Sequence, residues 1–209
     1  MTPRESIKIL EDRMNASVLG QEHVVSRLIM GLLADGNILV EGLPGLAKTR
    51  AVRAMADVID GKFSRIQFTP DLLPLDVLGT QLIYDEDGKK TFHFHQGPIF
   101  GNIILADEIN RAPAKIQSAM LEAMEENSVS VDGKTMPLPQ PFYVLATQNP
   151  TEQSGTFPLP ESQLDRFLLR ISLGYPSAKL ERDLLAAGDR RKIATEIGAV
   201  CPPETLSSM

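Results

Sequence analysis

A glycine-rich loop at residues 42–49 is the segment whose residue types and spacing indicate chemistry most clearly. It lies between an apolar run and a helical pattern, and its residues are Gly42, Leu43, Pro44, Gly45, Leu46, Ala47, Lys48 and Thr49. The successive backbone N–H groups of such a loop, together with the positive end of the following helix, can wrap a chain of phosphates. We expect Lys48 to reach the β- and γ-phosphates and the Thr49 hydroxyl to hold Mg²⁺. The alternative is an ordinary strand-to-helix turn with an exposed lysine.

The loop departs from the strict phosphate-loop pattern at Ala47, where that pattern has glycine. A methyl group is tolerated if the residue already has helical φ and ψ angles, and we expect the helix to start there. Arg50, in the first turn of the same helix, is included among the candidate nucleotide contacts.

Two adjacent acids, Asp107 and Glu108, end a later apolar run. In open α/β folds, ligands bind at the carboxyl ends of the strands. We expect Asp107 to orient the Mg²⁺ shell and Glu108 to polarise the attacking water. An acidic helix cap is the alternative for this pair. A phosphate loop on one strand with Asp-Glu on a later strand is the two-part layout of an ATPase.

Two further polar residues lie next to predicted strands. Asn149 follows an apolar run, where it could orient water or sense the γ-phosphate; an Asn-Pro turn is the alternative. Arg166 precedes the last predicted strand, and its guanidinium suits the γ-phosphate bound by a neighbouring subunit. The alternative for Arg166 is a surface ion pair with Asp165.

The elements that must position these residues alternate between apolar runs and helical stripes. The predicted strands are 37–40, 64–68, 101–107, 142–147 and 167–173. The predicted helices are 5–34 with a break at Gly20, 48–59, and a stripe over 116–124. This alternation predicts an α/β fold with a parallel sheet covered on both faces. Two β-hairpins are predicted in addition, over 79–97 and around Asp132-Gly133.

Composition excludes several classes of protein. The chain has 209 residues, of which 43% are hydrophobic, enough to bury a substantial core instead of remaining disordered. It has no run of about 18 apolar residues, so no membrane span is expected, and its charged start does not resemble a signal peptide. The net charge of −6 argues against general nucleic-acid binding. A single cysteine, Cys201, favours a reducing, cytoplasmic compartment.

Taken together, seven short segments resemble the MoxR family of AAA+ ATPases. They occur in the family's order and span roughly residues 15–176, at 18–22, 42–49, 66–74, 96–100, 107–112, 146–150 and 159–167. The resemblance implies a P-loop NTPase fold, a three-layer α/β sandwich with a central parallel sheet and two hairpin insertions. Alanine at the position of Ala47 is common in that family.

The resemblance also implies roles for individual residues. Lys48 and Thr49 match the Walker A lysine and hydroxyl, and Asp107 and Glu108 match the Walker B metal carboxylate and catalytic base. Asn149 matches sensor 1, and Arg166 matches the arginine finger that acts on the next protomer, ahead of Arg111 as a second candidate. The segment expected to pack against adenine is Val18, Leu19 and Gly20.

At the level of the whole chain, the resemblance implies an ATPase that uses ATP and Mg²⁺ and assembles with itself into a ring, expected to be a hexamer. It implies chaperone-like remodelling of client proteins or metalloenzyme complexes, often with a von Willebrand factor A-domain adaptor, and both hairpins would face the pore or a client. We expect residues 1–176 to form the ATPase core and 177–209 to begin a truncated or shortened helical lid. The alternative is a nucleotide-gated binding module with little turnover.

Overall fold

The computed structural model describes residues 3–17, 22–42, 48–86, 89–149 and 155–173. The helices of this part are α1 (Pro3–Ser17), α2 (Glu22–Leu33), α3 (Lys48–Val58), α4 (Pro74–Leu78), α5 (Ala114–Glu126) and α6 (Glu161–Leu164). The strands are β1 (Ile38–Gly42), β2 (Phe63–Gln67), β3 (Gly79–Glu86), β4 (Lys89–Gln96), β5 (Ile103–Asp107), β6 (Ser128–Val131), β7 (Lys134–Pro137), β8 (Tyr143–Gln148) and β9 (Leu169–Leu173).

Five of these strands form the central sheet, in the order β2-β5-β8-β1-β9. Every neighbouring pair in it is parallel. Since all carboxyl ends of parallel strands meet at one edge, the residues that follow β1, β5 and β8 lie side by side. The predicted α/β fold with a parallel sheet is therefore confirmed.

Both faces of the sheet are buried, because successive side chains of a strand point to opposite sides. On β5, Ile104 and Ala106 belong to the apolar cluster that includes Met120 of α5. Ile103 and Leu105 belong to the second cluster, which contains residues of α1, α2 and α3. The predicted coverage of both faces is confirmed, and the molecule has three layers.

Two antiparallel hairpins lie outside the central sheet, as predicted: β3 with β4, and β6 with β7. The root of the first hairpin is built on two glycines. A Cβ atom on Gly97 would lie 2.3 Å from the carbonyl oxygen of Val77, and Gly79 has a positive φ of 100° with its own Cβ position blocked by backbone. A side chain at either position would therefore displace the hairpin from α4.

The structure differs from the sequence prediction at several boundaries. Strand β1 continues through Glu41 and Gly42, where a loop was predicted, because both residues pair with β9. The short helices α4 and α6 and a 3₁₀ turn over Ile109–Arg111 were not predicted. The described residues do not include the predicted adenine-contacting segment 18–20, loop residues 43–47 or the expected lid over 177–209. None of the helices in the described residues meets the length and hydropathy that a membrane span requires.

Candidate active site

The carboxyl edge of the sheet brings several predicted site residues together. Gly42 ends β1, Asp107 ends β5, and Asn149 directly follows β8, which lies between these two strands in the sheet. Helix α3 begins at Lys48, and Thr49 is exposed in its first turn. The described part of the chain does not include the side chains of Lys48 and Arg50. It also leaves out the other predicted nucleotide contacts, which are Leu43, Pro44, Gly45, Leu46 and Ala47 of the loop and the segment Val18, Leu19 and Gly20.

Both carboxylate oxygens of Asp107 accept a hydrogen bond. The guanidinium of Arg65, on β2, donates to Oδ2 at 2.6 Å, and the hydroxyl of Thr147, on β8, donates to Oδ1 at 2.6 Å. The Asp107 side chain is only 18% exposed. Its negative charge is therefore balanced by a cation from the neighbouring strand.

Glu108 has an uncommon backbone conformation, with φ 58° and ψ 48° in the left-handed region. A residue without glycine's freedom pays on the order of 1 kcal/mol for this conformation, and such residues cluster at functional sites. The backbone N–H of Glu108 donates to the Thr147 hydroxyl at 2.9 Å. Thr147 therefore ties both acids to the neighbouring strand.

Among the described residues, the side chains of Gln67 and Arg111 hold the Glu108 carboxylate. Gln67, at the end of β2, donates from Nε2 to Oε2 of Glu108 at 3.0 Å. Arg111, in the 3₁₀ turn, places its Nε 3.0 Å from the same oxygen. Arg65 also donates to Oε1 of Gln67 at 2.6 Å, which links the two acids through one chain of contacts.

A third carboxylate, Glu41, lies one residue before the phosphate-loop motif. It accepts hydrogen bonds from Gln148 on β8 and from Arg170 on β9, the latter at 2.5 Å. Burial alone would raise the pKa of Glu41, but these two hydrogen bonds and the charge of Arg170 lower the pKa below its ordinary value of 4.5. This trio joins β1, β8 and β9 beside Gly42 and Asn149, and Asn149 itself is buried.

Arg166 lies away from these acids, after α6. Its guanidinium forms an ion pair with Glu125 and donates to the carbonyl oxygen of Leu121 at 3.4 Å, both on α5. The sequence suggested Asp165 as its alternative partner within the chain, and the structure has Glu125 there instead. The Arg166 side chain remains 38% exposed.

Sequence reasoning did not identify Arg65, Gln67, Thr147, Glu41 or Arg170 as site residues. Gln67 and Thr147 fall within the family-like segments, but without an assigned role. A signal was present in β2, where Arg65 and Gln67 are polar residues two apart on a short strand. The missing information was the register that pairs Gln67 with Asp107.

Oxygen donors at this edge fit a magnesium ion. Mg²⁺ is usually held in proteins by one or two carboxylates, a few other oxygens and the phosphates of the substrate, not by an all-protein cage. Asp107 and the hydroxyl of Thr49 are donors of this kind. Among the described residues, no group of three or more His, Cys, Asp or Glu could enclose a metal.

The sheet order, a helix beginning at a Lys-Thr pair beyond β1, and adjacent acids at the end of β5 define an α/β P-loop NTPase. Comparison with known proteins gives the family. Residues 37–169 match the ATPase family associated with various cellular activities, AAA. The chain therefore belongs to the AAA ATPases and, because relatives named MoxR match most of its length, to the MoxR family among them.

Two curated relatives are similar over most of this chain. Chaperone MoxR1 of Mycobacterium tuberculosis is 54% identical over 168 residues, which are 80% of this chain and 44% of MoxR1. The uncharacterized protein YeaC of Bacillus subtilis is 52% identical over 179 residues, 86% of this chain and 55% of YeaC. The chain thus spans about half the length of these relatives.

A solved structure supports the same fold. The crystal structure of a candidate ATPase from Cytophaga hutchinsonii superimposes with a TM-score of 0.87 at 44% sequence identity. The match covers 98% of this chain and 62% of that protein.

Proposed function

We propose that this chain binds ATP with Mg²⁺ at the carboxyl edge of its sheet and hydrolyses it to drive chaperone-like remodelling of partner proteins. The observation that carries the proposal is the pair Asp107 and Glu108 at the end of β5. Glu108 has a strained backbone and a carboxylate held by side chains from two other elements. A strained backbone and two side-chain contacts at one carboxylate are more typical of a catalytic base than of a helix cap.

In this proposal each residue has a separate task. Thr49 and Asp107 hold Mg²⁺, which when bound neutralises charge on the β- and γ-phosphates. Glu108 orients and polarises the attacking water, and Asn149 senses the γ-phosphate. Lys48 and the loop 42–47 hold the phosphates, with Arg50 beside them, and 18–20 pack against adenine.

A ring of identical subunits, with a hexamer as the expected size, completes the site in the proposal. Arg166 would act as the arginine finger toward the nucleotide of the next protomer. Its partial exposure and its ion pair with Glu125 support this role, because an exposed ion pair is weak enough to exchange. Membership in the AAA family is the second support.

The β3–β4 hairpin is the proposed contact with clients. Ile83 and Phe92 face each other across its strands and are 60% and 65% exposed. Exposed apolar pairs of this size are typical of surfaces that meet another protein. The name of the relative MoxR1 as a chaperone agrees with this part of the proposal. A von Willebrand factor A-domain protein is the proposed adaptor, and a metalloenzyme complex the proposed class of client.

We further propose residues 1–176 as the ATPase core, 177–209 as the start of the helical lid, and the cytoplasm as the compartment. The matched segment 37–169 lies within that core and supports the division. The single cysteine supports a reducing compartment.

One observation favours a second candidate, a nucleotide-gated binding module with little turnover. Glu108 is engaged by Gln67 and Arg111, so its carboxylate must leave these partners, or share them, to act on water. If Glu108 never separates from Gln67 and Arg111, the chain would bind nucleotide and change conformation without hydrolysing it.

The test is the steady-state ATPase rate per protomer, measured over a range of protein concentrations with and without Mg²⁺. The proposal expects a Mg²⁺-dependent rate that rises with concentration, since each site is completed by a neighbour. ATP binding with a near-zero rate at every concentration would favour the switch. A rate that is independent of concentration would contradict the shared site.

A further inference from the structure

The metal carboxylate of the proposed site is already occupied by a cation of the chain itself. Oδ2 of Asp107 accepts a hydrogen bond from the guanidinium of Arg65 at 2.6 Å, while Oδ1 is taken by the Thr147 hydroxyl. A guanidinium in contact with Oδ2 repels a divalent cation that approaches the same carboxylate. Binding of Mg²⁺ at Asp107 is therefore more favourable once Arg65 has moved away.

The ion pair between Arg65 and Asp107 can be displaced at a low cost in free energy. The Arg65 side chain is 48% exposed, so it has water on one side and room to swing out. Exposed ion pairs contribute only about 0–1 kcal/mol. Arginine remains charged at every physiological pH, so the competition does not depend on protonation.

Arg65 also fixes the orientation of the amide that holds Glu108. Its guanidinium donates to Oε1 of Gln67 at 2.6 Å. With that oxygen turned toward Arg65, only the amide NH₂ group can face Glu108, and Nε2 donates to the Glu108 carboxylate at 3.0 Å. If Arg65 leaves, the amide of Gln67 loses the partner that orients it.

We propose that Arg65 is a built-in stand-in for the metal cation, which occupies Asp107 until Mg²⁺ arrives with the nucleotide. Its displacement leaves the Asp107 carboxylate to the metal and removes the contact that Arg65 makes with Gln67. This inference rests on the proposed function, because it assumes a Mg²⁺–nucleotide complex at this edge of the sheet.

The test measures how strongly Mg²⁺ improves nucleotide binding, with no need for turnover. The affinity of the full chain for a fluorescent ADP analogue is determined in excess Mg²⁺ and in chelator, and the ratio of the two dissociation constants is the coupling. Arg65→Gln removes the competing charge, so the coupling rises about two- to fivefold, the range allowed by an exposed ion pair. Arg65→Lys keeps the charge, so its coupling stays within about twofold of that of the unsubstituted chain.

Lys62→Gln is the matched control. Lys62 is exposed just before β2 and lies three residues before Arg65, so this variant removes the same unit charge just outside the strand. Its coupling is expected to equal that of the unsubstituted chain. Circular dichroism melts establish that all variants are folded.

Three results would overturn the inference. A folded Arg65→Gln variant with unchanged or reduced coupling would mean that Arg65 does not compete with the metal. Equal weakening of ADP binding in Mg²⁺ and in chelator would make Arg65 a phosphate ligand instead. An Arg65→Lys variant as strongly coupled as Arg65→Gln would exclude the charge as the cause. Failure of the unsubstituted chain to bind ADP in either buffer would instead contradict the proposed function, which separates the two failures.

Discussion

At the scale of single residues, the proposed catalytic carboxylate depends on its neighbours for its position. Glu108 is fixed by a left-handed backbone, by Thr147 at its N–H group, and by Gln67 and Arg111 at its side chain. Only one of these contacts, the one with Arg111, is local in sequence. The others come from strands on either side of β5.

Replacement of Gln67 tests whether the position of the Glu108 carboxylate affects the rate of ATP hydrolysis. Gln67→Ala removes a side-chain contact that positions Glu108, so kcat is expected to fall about tenfold with a much smaller change in KM. Steady-state ATPase kinetics measure both constants. Gln96→Ala, at an exposed glutamine of β4, is the control and leaves both constants unchanged. A rise in KM at constant kcat would contradict the positioning role.

The Glu41 carboxylate predicts a pH dependence of stability. Its pKa is lower in the folded chain than the ordinary value of 4.5, so the ionised form stabilises the fold above that pH. The contribution is lost as the pH falls through the lowered, folded-state pKa. Glu41→Gln is expected to cost about 1 kcal/mol of unfolding free energy at pH 7, and the difference from the unsubstituted chain narrows below pH 4.5.

Urea unfolding across this pH range measures the effect of Glu41→Gln. Glu122→Gln, at an exposed position of α5, removes the same charge and serves as the control. A difference between Glu41→Gln and the unsubstituted chain that stays constant with pH would show that ionisation of Glu41 does not carry the effect.

At the scale of elements, the long and strongly patterned segments were predictable from sequence. The central strands β1, β5 and β8 follow from apolar runs, because a strand buried on both faces must be apolar almost throughout, and the hairpins follow from their turn residues. Helices α4 and α6 were missed because, at 5 and 4 residues, they are too short to show a periodic stripe.

The site was predictable only where it follows one strand. Asp107 and Glu108 stand out because they end an apolar run, whereas Arg65 is 42 residues from the acid that it contacts. Its position depends on the register between β2 and β5, which no local pattern encodes. The ion pair of Arg166 likewise depends on packing between distant segments: the sequence offered the adjacent Asp165 only as the alternative to the finger role, and the guanidinium pairs with Glu125 on α5.

At the root of the β3–β4 hairpin, the addition of a single methyl group is expected to lower the free energy of unfolding strongly. In Gly97→Ala, the new Cβ atom would lie 2.3 Å from the Val77 carbonyl oxygen and 2.5 Å from the Gly79 nitrogen. Both are backbone atoms that cannot turn aside, so we expect a loss of about 2 kcal/mol or more in unfolding free energy.

The control for this substitution is Gly133→Ala in the other hairpin. Gly133 has a positive φ of 76° but open space around its Cβ position. In Gly133→Ala the loss of unfolding free energy comes from backbone strain alone and is expected to be about 1 kcal/mol. Urea unfolding compares the two variants, and an equal or smaller loss for Gly97→Ala would contradict the packed root.

At the scale of the whole molecule, Arg166 tests whether sites are shared between subunits. Arg166→Ala is expected to keep nucleotide affinity and to abolish the part of the ATPase rate that rises with protein concentration. Glu125→Ala is the matched control, because it removes the ion-pair partner of Arg166 and leaves the guanidinium free to reach a neighbour. A specific activity of Arg166→Ala equal to that of the unsubstituted chain at every concentration would exclude the arginine finger.

The measurement that tests the account most directly compares phosphate release from ATP by the unsubstituted chain and by Glu108→Gln, under conditions where both are saturated. The amide keeps the shape of the side chain and cannot take a proton from water. We predict equal ATP affinity and a rate at least about 100-fold lower in Glu108→Gln. Equal rates in the two proteins would contradict the assignment of Glu108 as the base and, with it, the proposed hydrolytic site.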